Sequence, residues 1–197
     1  MTGTVSAVPR VDYPPFDRWP WGRRTFVMGI INVTPDSFSG DGLLGQLDEV
    51  VRRARAMVEA GADILDVGGE STRPGHVPVP AEEELQRVIP AIRAIRAALP
   101  DVPISIDTNK AVVAEAALAA GATMINDVRG LAGDPDMPAV AARSGVPVVI
   151  MHDLPIERAE DLIPRLVRDL AQRIERALAA GVAWERIIID PGFGFGK

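Results

Sequence analysis

The chain has no cysteine, two histidines and two lysines, Lys110 and Lys197, among its 197 residues. Without cysteine there is no disulfide framework, no thiolate zinc site and no cysteine nucleophile, which fits a reducing compartment. No apolar run approaches the roughly 20 residues that a membrane helix needs, and the first two dozen residues lack the basic-then-apolar layout of a secretory leader. A cytoplasmic location is therefore expected, with neither membrane nor nucleic acid as a partner. A formal charge of −6 argues against nucleic-acid binding by bulk charge, so an anionic ligand must be held by local donors. Apolar residues are plentiful, at 47% against 24% charged. That is enough to bury a core and excludes wholesale disorder.

Residues 1–22 are rich in proline and aromatics without a helical or strand period, and read as an N-terminal extension on the surface. From residue 23 to 197 the pattern is regular. Short β-branched runs, Phe26 to Val33, Asp63 to Val67, Val102 to Ile106, Thr123 to Ile125, Val146 to Ile150 and Ile187 to Ile189, predict six strands. Between them, Leu47, Val50, Val51, Ala54, Met57 and Val58 stripe one helix, and Leu85, Val88, Ile89, Ile92, Ile95 and Leu99 another. Lys110 to Ala120 and Pro135 to Ser144 predict two short helices, and Ile163, Leu166, Leu170, Ile174 and Leu178 a longer one. Glycines at 61, 121, 145 and 181 follow these helices, where a left-handed cap turns the chain toward the next strand. Strands alternating with amphipathic helices mean a parallel α/β sheet, either doubly wound or closed as a TIM (β/α)₈ barrel.

The polar clusters fall after the strands, on the face where barrels carry their sites. Asn32 opens the first loop, Gly68 to Gly75 form the second, and Asp107-Thr108, Asn126-Asp127, Met151-His152-Asp153 and Asp190 to Lys197 end the remaining strands. Each has a bland reading: Asp107-Thr108 as the N-cap of the next helix, Asn126 and Asp127 as turn residues. Coincidence at consecutive strand ends favours one shared site. Asp107, Asn126 and Asp190 together offer two carboxylates and an amide, a set suited to a flat heterocycle with N–H donors beside a carbonyl. Thr72 and Arg73, on a glycine-flanked loop, suit an anion. Asn32 offers an oxygen to a hard cation such as Mg²⁺ that arrives with phosphates.

Other motifs fail. Gly192 to Lys197 is not a phosphate-binding P-loop, because Pro191 stands at the place of its first glycine. Ser71 lacks a nucleophile elbow. His76 and His152 lack metal-ligand spacing, and His152 reads as a packed residue rather than a base.

As a set, the strings Met28 to Phe38 (MGIINVTPDSF), Asp66 to Gly75 (DVGGESTRPG), Ile106-Asp-Thr, Ile125 to Val128 and Asp190 to Lys197 (DPGFGFGK) resemble the dihydropteroate synthases, in the expected order over residues 25–197. The resemblance implies a TIM barrel that condenses 6-hydroxymethyl-7,8-dihydropterin diphosphate with 4-aminobenzoate, releasing pyrophosphate and giving 7,8-dihydropteroate for folate synthesis. It also implies that Asp107, Asn126 and Asp190 bond the pterin, that Met151 packs near its ring and that Thr72 contacts this substrate. Arg73, Pro74 and Phe195 would form the aminobenzoate pocket, and Asn32 would meet Mg²⁺ and the diphosphate. A homodimer is the arrangement common in the family. The implied chemistry is dissociative, with electrostatic stabilisation rather than a general base carrying the rate.

The sequence departs from the family at Met151-His152-Asp153, where a second methionine and a longer loop are usual. The family's Ser-Arg-Lys and Arg-Val-His motifs, after strands 7 and 8, have no counterpart up to Lys197. Six strands do not close an eight-stranded barrel. The expectation is thus an incomplete pterin-binding barrel over residues 23–197, lacking strands 7 and 8, from a longer enzyme. Weighed beside it are a pterin-binding methyltransferase domain that works with a corrinoid partner and a fragment that binds pterin without turnover, or binds nothing.

Overall fold

The computed structural model describes residues 19–33, 42–71, 78–155 and 158–195, without the side chains of 42–45 and 159. Six strands and five α-helices alternate among these residues: β1 (Met28–Asn32), α1 (Gly42–Glu59), β2 (Ile64–Gly68), α2 (Ala81–Ala98), β3 (Ile104–Asp107), α3 (Ala111–Ala120), β4 (Met124–Asp127), α4 (Met137–Ser144), β5 (Val148–Met151), α5 (Leu162–Ala179) and β6 (Ile187–Asp190). All six predicted strands and all five helices are present. None of these helices is long and apolar enough to cross a membrane.

Every neighbouring strand pair is parallel and the order is β1-β2-β3-β4-β5-β6. A doubly wound sheet reverses its order at a switch point, whereas winding in sequence order belongs to a barrel. The two faces of the sheet agree. Leu65, Val67, Ile104, Ile106, Ile125, Val148 and Ile150 point outward into one core with the buried helix residues Val50, Ala54, Val88, Ile92, Val113 and Val140. The alternate residues point inward, where Ile64, Met124 and Val149 form a separate cluster with Met28 and Ile188 and with no helix residue.

That inner cluster is closed from below by Trp19, which is 6% exposed and lies 4.4 Å, centroid to centroid, from Phe26. Trp19 therefore departs from the surface placement expected for residues 1–22. An indole can cap the apolar end of a barrel interior that no helix covers. The segment is stapled by Arg24, whose Nη1 and Nη2 donate to Asp63 at 2.9 and 2.6 Å, while Val27 N donates to the same carboxylate at 2.9 Å.

Two helix stripes differ from the sequence reading. On α2 the buried line is Glu84, Val88, Ala91, Ile92 and Ile95, and on α5 it is Leu166, Leu170, Arg173 and Ala177, with Ile163 64% exposed. Each buried line contains one charged residue where an apolar one was expected, and both residues serve the strand ends described below.

The β4–α4 connection is held tightly. Asp127 accepts from Arg129 N at 2.8 Å and Leu131 N at 2.9 Å, and the Arg173 guanidinium donates to Arg129 O and Met151 O. Gly130 sits beneath that guanidinium at φ +56°, where an added Cβ would lie 2.6 Å from Met151 O. Gly130→Ala is expected to destabilise the fold by more than about 1 kcal/mol, because neither the backbone angle nor the space suits a side chain. Urea denaturation of the two proteins checks this.

Candidate functional site

Parallel register decides which strand residues meet. Reading across the ladders, Asn32 pairs with Gly68, Gly68 with Asp107, Asp107 with Asn126, Asn126 with Val149 and Val149 with Ile188, so these residues form one continuous row on the inner face. Two residues further on, Met151 pairs with Asp190. The structure thus brings Asn32, Asp107, Asn126, Met151 and Asp190 to one end of one face. Gly68 leaves room in the row, since a Cβ there would lie 3.3 Å from Asp107 Oδ2.

A cavity of about 290 Å³ opens at this end. Asp107, Met151 and Phe195 line it, together with Glu70, Lys110 and Arg129. Asp107 Oδ1 is buried without a hydrogen-bond partner. Burial, reinforced by the negative charges of Asp66, Glu84, Asp127 and Glu70, pushes the Asp107 carboxyl well above the ordinary carboxylate range. The unpartnered Oδ1 is placed to accept from a donor brought by a ligand, which would favour the ionised form. Asp66, one row deeper, is 3% exposed and accepts from Asn126 Nδ2 at 3.0 Å. Burial raises its pKa against the lowering effect of Ser105 and Asn126. Asp190 is held differently: its Oδ1 accepts from Gly192 N at 2.7 Å, and its backbone oxygen accepts from His152 N at 2.9 Å.

Two charged clusters frame these acceptors. On the β2 side, Lys110 Nζ donates to both Glu70 and the fully buried Glu84. Burial works against the ammonium, but the hydrogen bonds and charges of the two carboxylates outweigh it and raise its pKa. Glu70 also accepts from Val79 N at 3.3 Å, tying together the two flanks of residues 72–77. On the β5 side, Asp153 receives Arg129 Nε at 2.8 Å and also pairs with the buried Arg173. The aspartate that departs from the family's usual methionine therefore has two cationic partners. His152 is fully buried with Nε2 3.2 Å from Asp169 Oδ2, the packed position expected of it.

The bland readings divide. Asp107 caps no helix: Lys110 is the N-cap residue of α3, and Asp134 accepts from Ala111 N at 2.8 Å. Asp127 is a turn residue whose carboxyl burial lifts to about 6, against the lowering effect of the Arg129 and Leu131 amides. Asn126 is not a turn residue, because its amide bonds to Asp66. Thr72, Arg73, Pro74 and His76 lie outside the described residues. Asp66, Glu70, Glu84, Lys110, Arg129 and Arg173 were not singled out from the sequence. The signal for three of them was present as a charge on an apolar stripe: Asp66 within Ile64–Gly68, Glu84 on α2 and Arg173 on α5.

Among the described residues no three His, Cys, Asp or Glu side chains are grouped as a metal cage requires. The Asn32 amide oxygen fits only a hard cation that brings its other oxygen ligands with it.

The family described as pterin binding enzyme matches residues 28–197. The dihydropteroate synthase of Clostridium beijerinckii is 50% identical over 176 residues, covering 89% of this chain and 65% of that protein, so the chain spans less than two thirds of it. A crystal structure of the Clostridium difficile dihydropteroate synthase, obtained in the presence of pteroic acid, superposes with a TM-score of 0.86 at 49% identity over 91% of this chain and 68% of that one. The Xanthomonas albilineans dihydropteroate synthase solved with 4-aminobenzoic acid gives a TM-score of 0.81 at 49% identity, over 89% of this chain and 64% of that one. With these barrels as neighbours, the six-stranded sheet is part of a TIM barrel.

Two outcomes follow from the buried charges. Lys110→Met removes the cation from Glu84 and is expected to cost about 3 kcal/mol in a denaturation experiment, the scale for stripping a buried charge of its partner; adding Glu84→Gln should recover part of that loss. Asp107→Asn should act in the opposite sense. A carboxyl whose folded pKa exceeds its unfolded value holds its proton more tightly when folded, so its ionisation costs stability as pH rises above the ordinary carboxylate range. The variant should therefore be more stable than the parent at pH 7, with the difference vanishing toward pH 3 in urea titrations at the two values.

Proposed function

The chain belongs to the pterin-binding enzyme family, and from that premise we propose that its protein condenses 6-hydroxymethyl-7,8-dihydropterin diphosphate with 4-aminobenzoate to give 7,8-dihydropteroate and pyrophosphate. The observation that carries this reading is the row of acceptors at the strand ends, with Asp107 beside Asn126 and a buried Asp107 oxygen that has no partner. An aminopyrimidinone edge offers N–H donors to such a row, and burying them against a carboxylate gives charge-assisted hydrogen bonds. Met151, 3% exposed on the cavity wall, supplies an apolar contact for the ring.

The same acceptors suit the chemical step. When the bond between the pterin methylene and the diphosphate oxygen breaks, the electron pair leaves with pyrophosphate and the pterin is left cationic. A fixed, poorly solvated carboxylate stabilises that charge more than it stabilises the neutral ground state. The amine of 4-aminobenzoate then attacks the methylene carbon and releases one proton. Phe195 on the cavity rim, with Arg73 and Pro74, takes the arylamine; Thr72 contacts the pterin diphosphate. Asn32 would offer its amide oxygen to Mg²⁺ accompanying the diphosphate, and that ion would supply charge neutralisation to the leaving group.

Titrating the chain with the pterin diphosphate, with and without Mg²⁺ and 4-aminobenzoate, while following pyrophosphate, tests the reading. Saturable pterin binding is expected, and pyrophosphate release should require both substrates. Absence of pterin binding overturns it, and corrinoid-dependent methyl transfer would support the methyltransferase reading instead. Asp107→Asn should weaken pterin binding by more than about 1 kcal/mol, the scale of a hydrogen bond to a charged group. An unchanged dissociation constant rejects that role for Asp107.

A further inference from the structure

Asp66 is a buried carboxyl on the inner face. It lies in β2, where all five residues are buried, one row deeper than Asp107 and Asn126 and next to the inner apolar cluster. Its Oδ2 accepts from Asn126 Nδ2 at 3.0 Å, and its Oδ1 is buried without a hydrogen-bond partner. A residue needed only for packing would be apolar, as Met28, Ile64, Met124, Val149 and Ile188 are on the same face. A buried carboxyl among these apolar neighbours calls for another reason to be there.

The reason lies in the symmetry of a carboxamide. The oxygen and nitrogen of Asn126 have nearly the same shape, and rotating the amide by half a turn exchanges an acceptor for a donor. In the structure Asp66 Oδ2 accepts from the nitrogen. The carbonyl oxygen of Asn126 is then left for a ligand in the row shared with Asp107. We propose that Asp66 is a positioning residue: by accepting from Nδ2 it holds the Asn126 amide in one orientation, so that Asn126 Oδ1 joins Asp107 as a hydrogen-bond acceptor for the N–H edge of the pterin. The proposal rests on the function given above. A flipped amide would face the ligand's N–H with its own, and the site would discriminate against the ring it is built to hold.

Because Asp66 acts through Asn126, its effect must disappear when Asn126 is gone. Pterin diphosphate affinity is measured for the parent chain, D66L, D66N, N126A and D66L/N126A, with thermal unfolding to confirm folding. D66L and N126A should each weaken binding at least tenfold, and the double variant should bind within twofold of N126A. D66N keeps an acceptor oxygen for Nδ2 and should bind closer to the parent than D66L does. Losses that multiply in the double variant, parent-like binding by D66L, or a D66N as weak as D66L would overturn the proposal.

A second readout needs no ligand. In ¹⁵N-labelled protein the Asn126 side-chain amide, assigned by its absence in N126A, should show a strongly hydrogen-bonded proton that is retained in D66N. Should D66L fail to fold, D66N carries the test. An Asn126 amide signal without that proton in the parent, or one lost in D66N, overturns the positioning role. If the parent chain binds no pterin, the functional reading fails, and this amide signal alone decides whether Asp66 orients Asn126.

Discussion

A parallel sheet wound in sequence order has helices on one face only, so its inner face must be filled by the strands' own side chains. Much of the structure follows from that constraint. Below, the filling is apolar: Met28, Ile64, Met124, Val149 and Ile188, with Trp19 stacked beneath them. Above, the same period of two places Asp66, Ser105, Asp107 and Asn126 in the interior. Shifting any strand by one residue would turn its polar groups into the helix core and its isoleucines into the cavity. The outward-facing Leu65, Val67, Ile104, Ile106, Ile125 and Ile150 therefore hold the site in register although none of them lines it.

Burial raises the pKa of both Asp66 and Asp107, and at Asp107 the neighbouring carboxylates add to it. Lys110, on the same cavity wall as Asp107, is bound to Glu70 and Glu84. This arrangement costs stability in the free protein. It is consistent with a site whose complement comes from outside, as N–H donors in the bound state and as positive charge in the transition state. Natural sites often keep such locally unfavourable groups and compensate for them elsewhere. Here the compensation lies in the apolar outer core.

The period-2 and period-3.6 patterns made the architecture legible, and each strand and helix is found within a few residues of its expected place. Asn32, Asp107, Asn126, Met151 and Asp190 were legible as well, because residues at the carboxyl ends of successive parallel strands must converge. The supporting groups were not. Lys110 bridging Glu70 and Glu84, or Arg173 reaching Met151 O, are contacts between elements distant in the chain, and no local spacing encodes them. Asp66, Glu84 and Arg173 interrupt apolar stripes, and such a break is the trace that a buried charge leaves in a sequence. Trp19 escaped notice because it plugs an interior that exists only once the strands have curved.

The two sides of the cavity are built differently. On the β4–β5 side, Asp127 bonds two backbone amides and Arg173 ties two backbone carbonyls to Asp153. That wall is cross-linked through the main chain, which is what a heterocycle read by hydrogen bonds requires, since small displacements of an acceptor forfeit its geometry. On the β2 side, Glu70, on one flank of residues 72–77, accepts from Val79 N on the other flank and from Lys110 Nζ, and Arg87 Nη1 donates to Gly69 O at 2.6 Å. These bonds hold Gly69, Glu70 and Val79 through side chains as well as main chain. Asp107 and Asn126, by contrast, belong to the sheet itself. Under the proposed function, this rigid sheet end is where the pterin's N–H edge would be read.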